Sequence, residues 1–239
     1  MKKILPLICS LAFVAQPAAA ADITNLGALG QASFKTLSED LGSALSYKPV
    51  TPAEPLGIFG FDVGIVITTT DISRSTTFLN TVTNSNDSIK TLIVPKLHVA
   101  KGLPFNFDIA AFISKVPTTN ISLFGGEIRY SLLAGNMAMP AVAVRGALTK
   151  LTGVDQLDLG TKSLDVSISK GFLMFTPYAG VGQVWVTSTP NVAALKEESF
   201  SKSKMFIGGN LNLGLMNIAL EGDKTGDAKS GSLKVGLRF

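Results

Sequence analysis

Cysteine is almost missing from this chain: there is one among 239 residues, Cys9, inside an apolar stretch near the N-terminus. A disulfide framework and a thiolate metal centre are therefore both excluded. Histidine and tryptophan also occur once each, as His98 and Trp185, and a lone histidine cannot build a His-rich metal site. Charged residues make up only 16% of the chain, yet no apolar run after the first is long enough for a membrane helix. The nearest candidate, Leu132 to Val144, is broken by Asn136 and Pro140, whereas a spanning helix needs ~20 apolar residues. Excess charge is lacking as well. Without residues 1–21, which hold two lysines, 19 basic residues face 17 acidic ones, a net charge near +2. That balance excludes nucleic acid as a partner. Gly222-Asp223 and Gly226-Asp227 read as turn residues and lack phosphate-loop spacing.

What the chain has is apolar residues, 46% of the total, arranged with a period of two. Its last residues set Leu233, Val235, Leu237 and Phe239 on one face and Ser232, Lys234, Gly236 and Arg238 on the other. The same alternation recurs upstream. Phe61, Val63, Ile65 and Ile67 oppose Asp62, Gly64 and Val66, and Ile93, Leu97 and Val99 oppose Lys96 and His98. Ten strands are expected, at about 56–70, 90–101, 105–116, 121–133, 139–150, 156–169, 173–187, 200–213, 216–221 and 228–239. Leu157 and Leu159 are out of phase with the rest of the sixth strand, which predicts a bulge near Thr161–Ser163. Two connections are long, 71–89 and 188–199, both after odd strands, while those near 102, 135, 171 and 214 are short. Long loops on one side and short turns on the other are the pattern of a membrane barrel. A greasy exported chain without a spanning helix is also resolved by a closed sheet, because lipid tolerates only helices and barrels.

The N-terminus fits export. Lys2 and Lys3 precede the apolar run Ile4–Ala15, and Ala18–Ala21 provide small residues for cleavage, the layout of a signal peptide over 1–21. Residues 22–54 are polar and glycine-rich around one amphipathic patch, in which Phe34, Leu37, Leu41 and Leu45 recur at helical spacing. This segment is expected to be periplasmic, its helix packed on the barrel mouth or the leaflet; the other reading is a plug inside the barrel. Residues 55–239 form the barrel itself.

The closing strand, greasy on one face and ending on Phe239, resembles the last strand of bacterial outer-membrane β-barrels. The fold implied is an all-β, antiparallel, up-and-down transmembrane barrel with a short N-terminal amphipathic helix. The resemblance also implies that Leu237 and Phe239 form the signal read by the barrel assembly machinery. Its other implied partners are outer-membrane lipids and lipopolysaccharide, and its implied address is the cell outer membrane. A soluble exported lipid-binding barrel is the competing fold, with its polarity reversed; strands carrying only one or two charges each argue against it.

Candidate chemistry is confined to the polar faces. The expected lumen charge network comprises Asp62, Lys96, Asp108, Glu127, Arg129, Arg145, Asp165, Lys204, Glu221 and Lys234. Their near-balance of signs suits ion pairs filling a narrow barrel, since unpaired buried charge is expensive, and Glu127 is expected to bridge a neighbouring guanidinium. His98 points into the lumen close to a short turn and is read as a hydrogen-bonded lumen residue. No catalytic, cofactor or metal residues are assigned. The role expected is non-enzymatic: a membrane-anchored scaffold with surface loops, or a narrow pore for small solutes. A lipid- or peptide-modifying outer-membrane enzyme is the alternative.

Overall fold

The computed structural model describes residues 23–83, 90–115 and 121–239. The expected signal peptide therefore lies outside the described residues, as do residues 84–89 of the first long connection. Ten strands form the wall: β1 (Phe61–Asp71), β2 (Thr91–Gly102), β3 (Phe107–Lys115), β4 (Ser122–Leu133), β5 (Ala141–Thr152), β6 (Leu157–Ser169), β7 (Phe175–Pro190), β8 (Glu198–Leu213), β9 (Met216–Thr225) and β10 (Ala228–Arg238). Each pairs antiparallel with its sequence neighbours, and β1 pairs with β10 to close the barrel. The closing seam runs from Asp62 opposite Arg238 to Thr70 opposite Ser230. Mutual backbone bonds between Phe61 and Phe239 complete it. We call the end where β1 starts and β10 stops the terminal end, and the opposite one the far end.

Alternation sorts the side chains as the period of two requires. Ile65, Leu97, Ile113, Ile128, Leu148 and Leu220 lie exposed on the outer face. The inner face is polar: Thr68 bonds Ser232 (2.9 Å), Thr70 bonds Ser230 (2.9 Å) and Thr149 bonds Thr161 (2.7 Å) across neighbouring strands.

Three local expectations need correcting. β6 runs without a register shift against either neighbour, and the irregularity falls instead in β4, between Ser131 and Leu133. Leu157 and Leu159 are buried inward, under an apolar helix rather than at a bulge. Second, β9 continues through Gly222-Asp223 to Thr225, and the hairpin turns on Gly226-Asp227 alone, with Gly226 at φ +59°. Third, the connection expected at 188–199 shortens to 191–197, because β7 and β8 pair as far as Ser188 and Glu198.

Residues 22–54 were expected to pack a helix on the barrel mouth or the leaflet, or to plug the barrel; helix α1 (Gln31–Leu45) sits within the mouth at the far end, opposite the end where β1 starts. Its Phe34, Leu37, Leu41, Ala44 and Leu45 pack against Leu123, Leu151, Leu157 and Leu159 from the inner wall. Gly42 lies against Val186 so closely that a Cβ would come within 2.6 Å of it, letting the helix seat on β7. A second helix, α2 (Thr76–Thr83), lies in the β1–β2 connection, and its Leu79 and Val82 join the same cluster. From Ser46 the chain leaves α1 and descends the lumen to the terminal end, where β1 begins.

Candidate functional site

The descending segment, residues 46–56, is the strap around which the lumen is arranged. Its sequence places prolines at 49, 52 and 55, and each removes one backbone donor that the lumen would otherwise have to satisfy. The residue after each proline donates its N–H to a wall side chain. Val50 donates to Glu221 (2.9 Å), Ala53 to Ser169 (3.1 Å) and Leu56 to Asp108 (3.0 Å). Val50 has φ +47°, a left-handed conformation rare for a β-branched residue, held at the point where Glu221 takes its amide. The strap's carbonyls are met as well. Lys204 donates to Tyr47 O (2.7 Å), Ser131 to Ala53 O (2.8 Å), and Arg129 to the carbonyls of Pro52 and Glu54.

All ten residues of the expected charge network are buried inside the barrel. Near the terminal end, Lys234 pairs with Asp62 (2.7 Å) and Arg129 with Asp108 (2.6 Å). At mid-height Arg145 lies between Glu127 (2.9 Å) and Asp165 (3.4 Å), and Lys204 lies 3.9 Å from Asp165. Glu127 thus meets one guanidinium, that of Arg145, while Arg129 belongs to Asp108. The Glu127–Arg145 contact is close but poorly aligned for a hydrogen bond, so it is an ion pair held by charge. Lys96 has no acceptor among the described residues; its ammonium lies 4.8 Å from the Phe112 ring centre. That ring in turn packs on Tyr47, 5.5 Å away.

His98 is buried on β2, its Nε2 3.4 Å from the Tyr47 hydroxyl and its Nδ1 4.0 Å from Asp62. It is a wall residue facing the strap. Among the described residues, no cluster of three or more His, Cys, Asp or Glu is placed to hold a metal.

The helix is clamped by a second set of charges at the far mouth. Arg74, from the 3-10 turn after β1, reaches Glu39 (2.9 Å), Asp40 (3.3 Å) and Asp227, and Lys202 reaches Glu39 (3.0 Å). Burial works against the charged form of Glu39, but the Lys202 and Arg74 hydrogen bonds outweigh it and hold its carboxyl below the usual range. For Asp40 burial prevails over the hydrogen bond from Ser75 and the charge of Arg74, and its carboxyl is pushed up. Below the clamp, Lys48 pairs with Asp223 (2.8 Å) and also donates to Ser43 O (3.0 Å), locking the joint between helix and strap.

Sequence reasoning found the wall charges and missed their principal task. Tyr47, Lys48, Thr51, Ser131 and Ser169 were not singled out, although the Pro-x-x spacing at 49, 52 and 55 was visible as a segment needing few donors. Leu237 and Phe239 lie on the outer face, 57% and 66% exposed, and the Phe239 ring stacks on Phe61 at 6.0 Å.

These features define a class: a closed, ten-stranded, antiparallel up-and-down β-barrel, greasy outside and charged within, occupied by its own N-terminal segment. No known family and no curated protein matches the chain. Among solved structures it is similar to the N-terminal β-barrel domain of OprF from Pseudomonas aeruginosa, with a TM-score of 0.36 and 14% identity over 74% of this chain and 97% of that one. It is also similar to Ail, the attachment invasion locus protein of Yersinia pestis, at 0.33 and 16% over 78% and 99% of the two chains. Neisserial surface protein A is similar at 0.29 and 9%, over 74% and 95%.

Proposed function

We propose that the chain is an integral outer-membrane β-barrel that does not conduct, a membrane-anchored scaffold whose lumen is sealed by its own strap and helix. The reading of the membrane rests on reversed polarity. The outward-facing charges of the strands gather toward the strand ends, among them Lys115, Lys150, Lys162, Lys224 and Lys229 at the far side and Lys101 at the other, and leave an apolar band between them, where a charge would cost about 2–4 kcal/mol at the bilayer midplane. A soluble lipid carrier needs the opposite arrangement. The outer membrane, rather than another bilayer, is proposed from the signal-peptide pattern at 1–21 and the alternating greasy face of the strand that closes the barrel. Lipopolysaccharide, outer-membrane lipids and the assembly machinery are the partners that this address implies.

The observation that carries the sealed reading is the match between strap and wall. Three strap amides and four strap carbonyls are taken up by side chains of five different strands. Ten strands already lie near the eight-strand limit at which side chains fill a barrel, and a polypeptide running down the axis occupies what remains. What is left to act is the far end, where β6, β7 and β8 surround α1. With the termini in the periplasm that end faces the cell exterior.

Purified protein in planar bilayers should show no steady conductance, and removal of residues 23–54 should open a stable channel. A steady conductance in the intact protein would replace the scaffold with the pore. Recovery of the mature protein from the periplasm without detergent would end the membrane reading altogether.

A further inference from the structure

The two ends of the barrel differ in kind. At the far end the outer face is fringed with exposed lysines, among them Lys115, Lys150, Lys162, Lys224 and Lys229. Beyond that collar the β7–β8 pair continues, with Thr187, Thr189, Ser199, Ser201 and Ser203 outward. The terminal end has no such fringe. Each of its four connections carries an exposed apolar residue near its tip: Phe105, Met137, Leu173 and Leu215, exposed by 86%, 97%, 103% and 63%. Phe59 and Phe239 complete the ring.

Water-facing turns of this size favour glycine, asparagine and aspartate. Here Phe105 and Leu173 stand at φ +60° and +52°, positions where a glycine would fit without strain. A bulky apolar group is retained at a conformation that disfavours it. The polar groups of these turns are also turned inward on themselves. Lys170 donates to the carbonyls of Asn136 (2.9 Å) and Met137 (2.7 Å), and Lys101 to those of Ile58 (2.6 Å) and Gly60 (3.2 Å). Asn136 Oδ1 accepts from the amides of Ala138 and Met139, both at 2.8 Å. Internal satisfaction of backbone groups is what a medium poor in water demands.

Length decides what that medium is. From Lys229 to Arg238, β10 rises roughly 23 Å at ~3.3 Å per residue with a ~40° tilt. An outer-membrane hydrocarbon band is about 25 Å tall. With the lysine collar at the outer boundary, no strand is left over to lift the terminal-end turns clear of lipid.

We propose that the terminal-end turns are a lipid-binding surface, seated in the interfacial layer of the periplasmic leaflet against phospholipid rather than projecting into water. The proposal rests on the membrane reading above. The ring is continuous with the apolar outer wall, so one occupant, the phospholipid bilayer, covers both.

Tryptophan depth tests it, because the native chain has a single tryptophan, Trp185, on the outer face beside Lys162. Leu173→Trp is placed in a Trp185→Phe background and reconstituted into phosphatidylcholine vesicles. Its emission should be quenched by lipid brominated near the headgroup, less by lipid brominated near the chain ends, and little by aqueous iodide. Leu215→Trp reads the same surface if the first variant does not assemble. Iodide quenching without bromine quenching at both tips, while Trp185 in the unaltered protein is quenched by bromolipid, overturns the proposal and leaves the membrane reading standing. Absence of bromine quenching at Trp185 as well overturns both.

Discussion

Arg129→Ala should be the most damaging single change in the lumen. The Arg129 side chain is 2% exposed and that of its partner Asp108 is fully buried, with 2.6 Å between Nη2 and the carboxylate. The same guanidinium also donates to Thr51 and to the carbonyls of Pro52 and Glu54, so it joins wall to strap. Removing one partner of a buried pair costs about 3–5 kcal/mol, because the other charge stays behind unpaired. Asp108 would keep the Leu56 amide, which favours the lower half of that range. With a urea slope of ~2 kcal/mol per molar, the unfolding midpoint should fall by about 1.5–2 M. Reversible urea unfolding in phospholipid vesicles, followed by Trp185 emission, measures it, and Lys162→Ala serves as an exposed control expected to stay within about 0.5 kcal/mol. Asp108→Asn alone should also destabilise, and the double variant should lose at least ~1 kcal/mol less than the two single losses together. A midpoint shift under ~0.5 M, or strict additivity, would refute the idea that this pair holds the strap to the wall.

Three other outcomes follow from the same geometry. Leu159→Ala leaves a void between β6 and the helix and should cost about 2–5 kcal/mol by the same urea assay, whereas a lipid-facing Leu164→Ala should cost much less. Acid should loosen α1. Glu39 has its folded pKa below the ordinary 4.5, so its contribution is present above that value and lost as pH falls through the lower one. Asp40, pushed up by burial, works in the opposite sense, so Glu39→Gln should flatten the acid-induced rise in amide exchange of 31–45 and leave any residue of opposite slope to Asp40. Deletion of Phe239 removes the stack on Phe61 and the last seam bonds; the level of heat-modifiable, membrane-inserted barrel should drop far below that of Phe175→Ala.

The wall was legible because its signal is local. Alternation at Leu233 to Phe239 or Ile93 to Val99 is set by the strand's own geometry, and a slip of one residue would expose the lumen charges to lipid. Errors arose where the strand's inner neighbour was not solvent or side chains but another piece of chain. Leu157 and Leu159 broke phase because α1 covers the wall at that level, and no feature of β6 itself records the helix. Gly222-Asp223 looked like a turn, yet Asp223 points inward to meet Lys48, a partner 175 residues away. The strap was hardest to read. Residues 46–56 have neither helical nor strand periodicity, and three prolines there suggest only a break. Their meaning depends on Glu221, Ser169 and Asp108, which a closed barrel alone brings together.

The threaded strap can be trapped directly, because the mature chain has no cysteine to compete once residues 1–21 are removed. Ala53 on the strap is buried against Ala141 and Ala143 of β5 in one cluster. Ala53→Cys paired with Ala143→Cys, or with Ala141→Cys, should therefore form a disulfide on mild oxidation of the assembled protein. The cross-linked chain would run faster on a denaturing gel, and the shift should vanish on reduction and be absent when oxidation follows unfolding. If instead both thiols in the folded barrel stay free and the one at 53 reacts with a water-soluble maleimide, the lumen is not filled by residues 46–56.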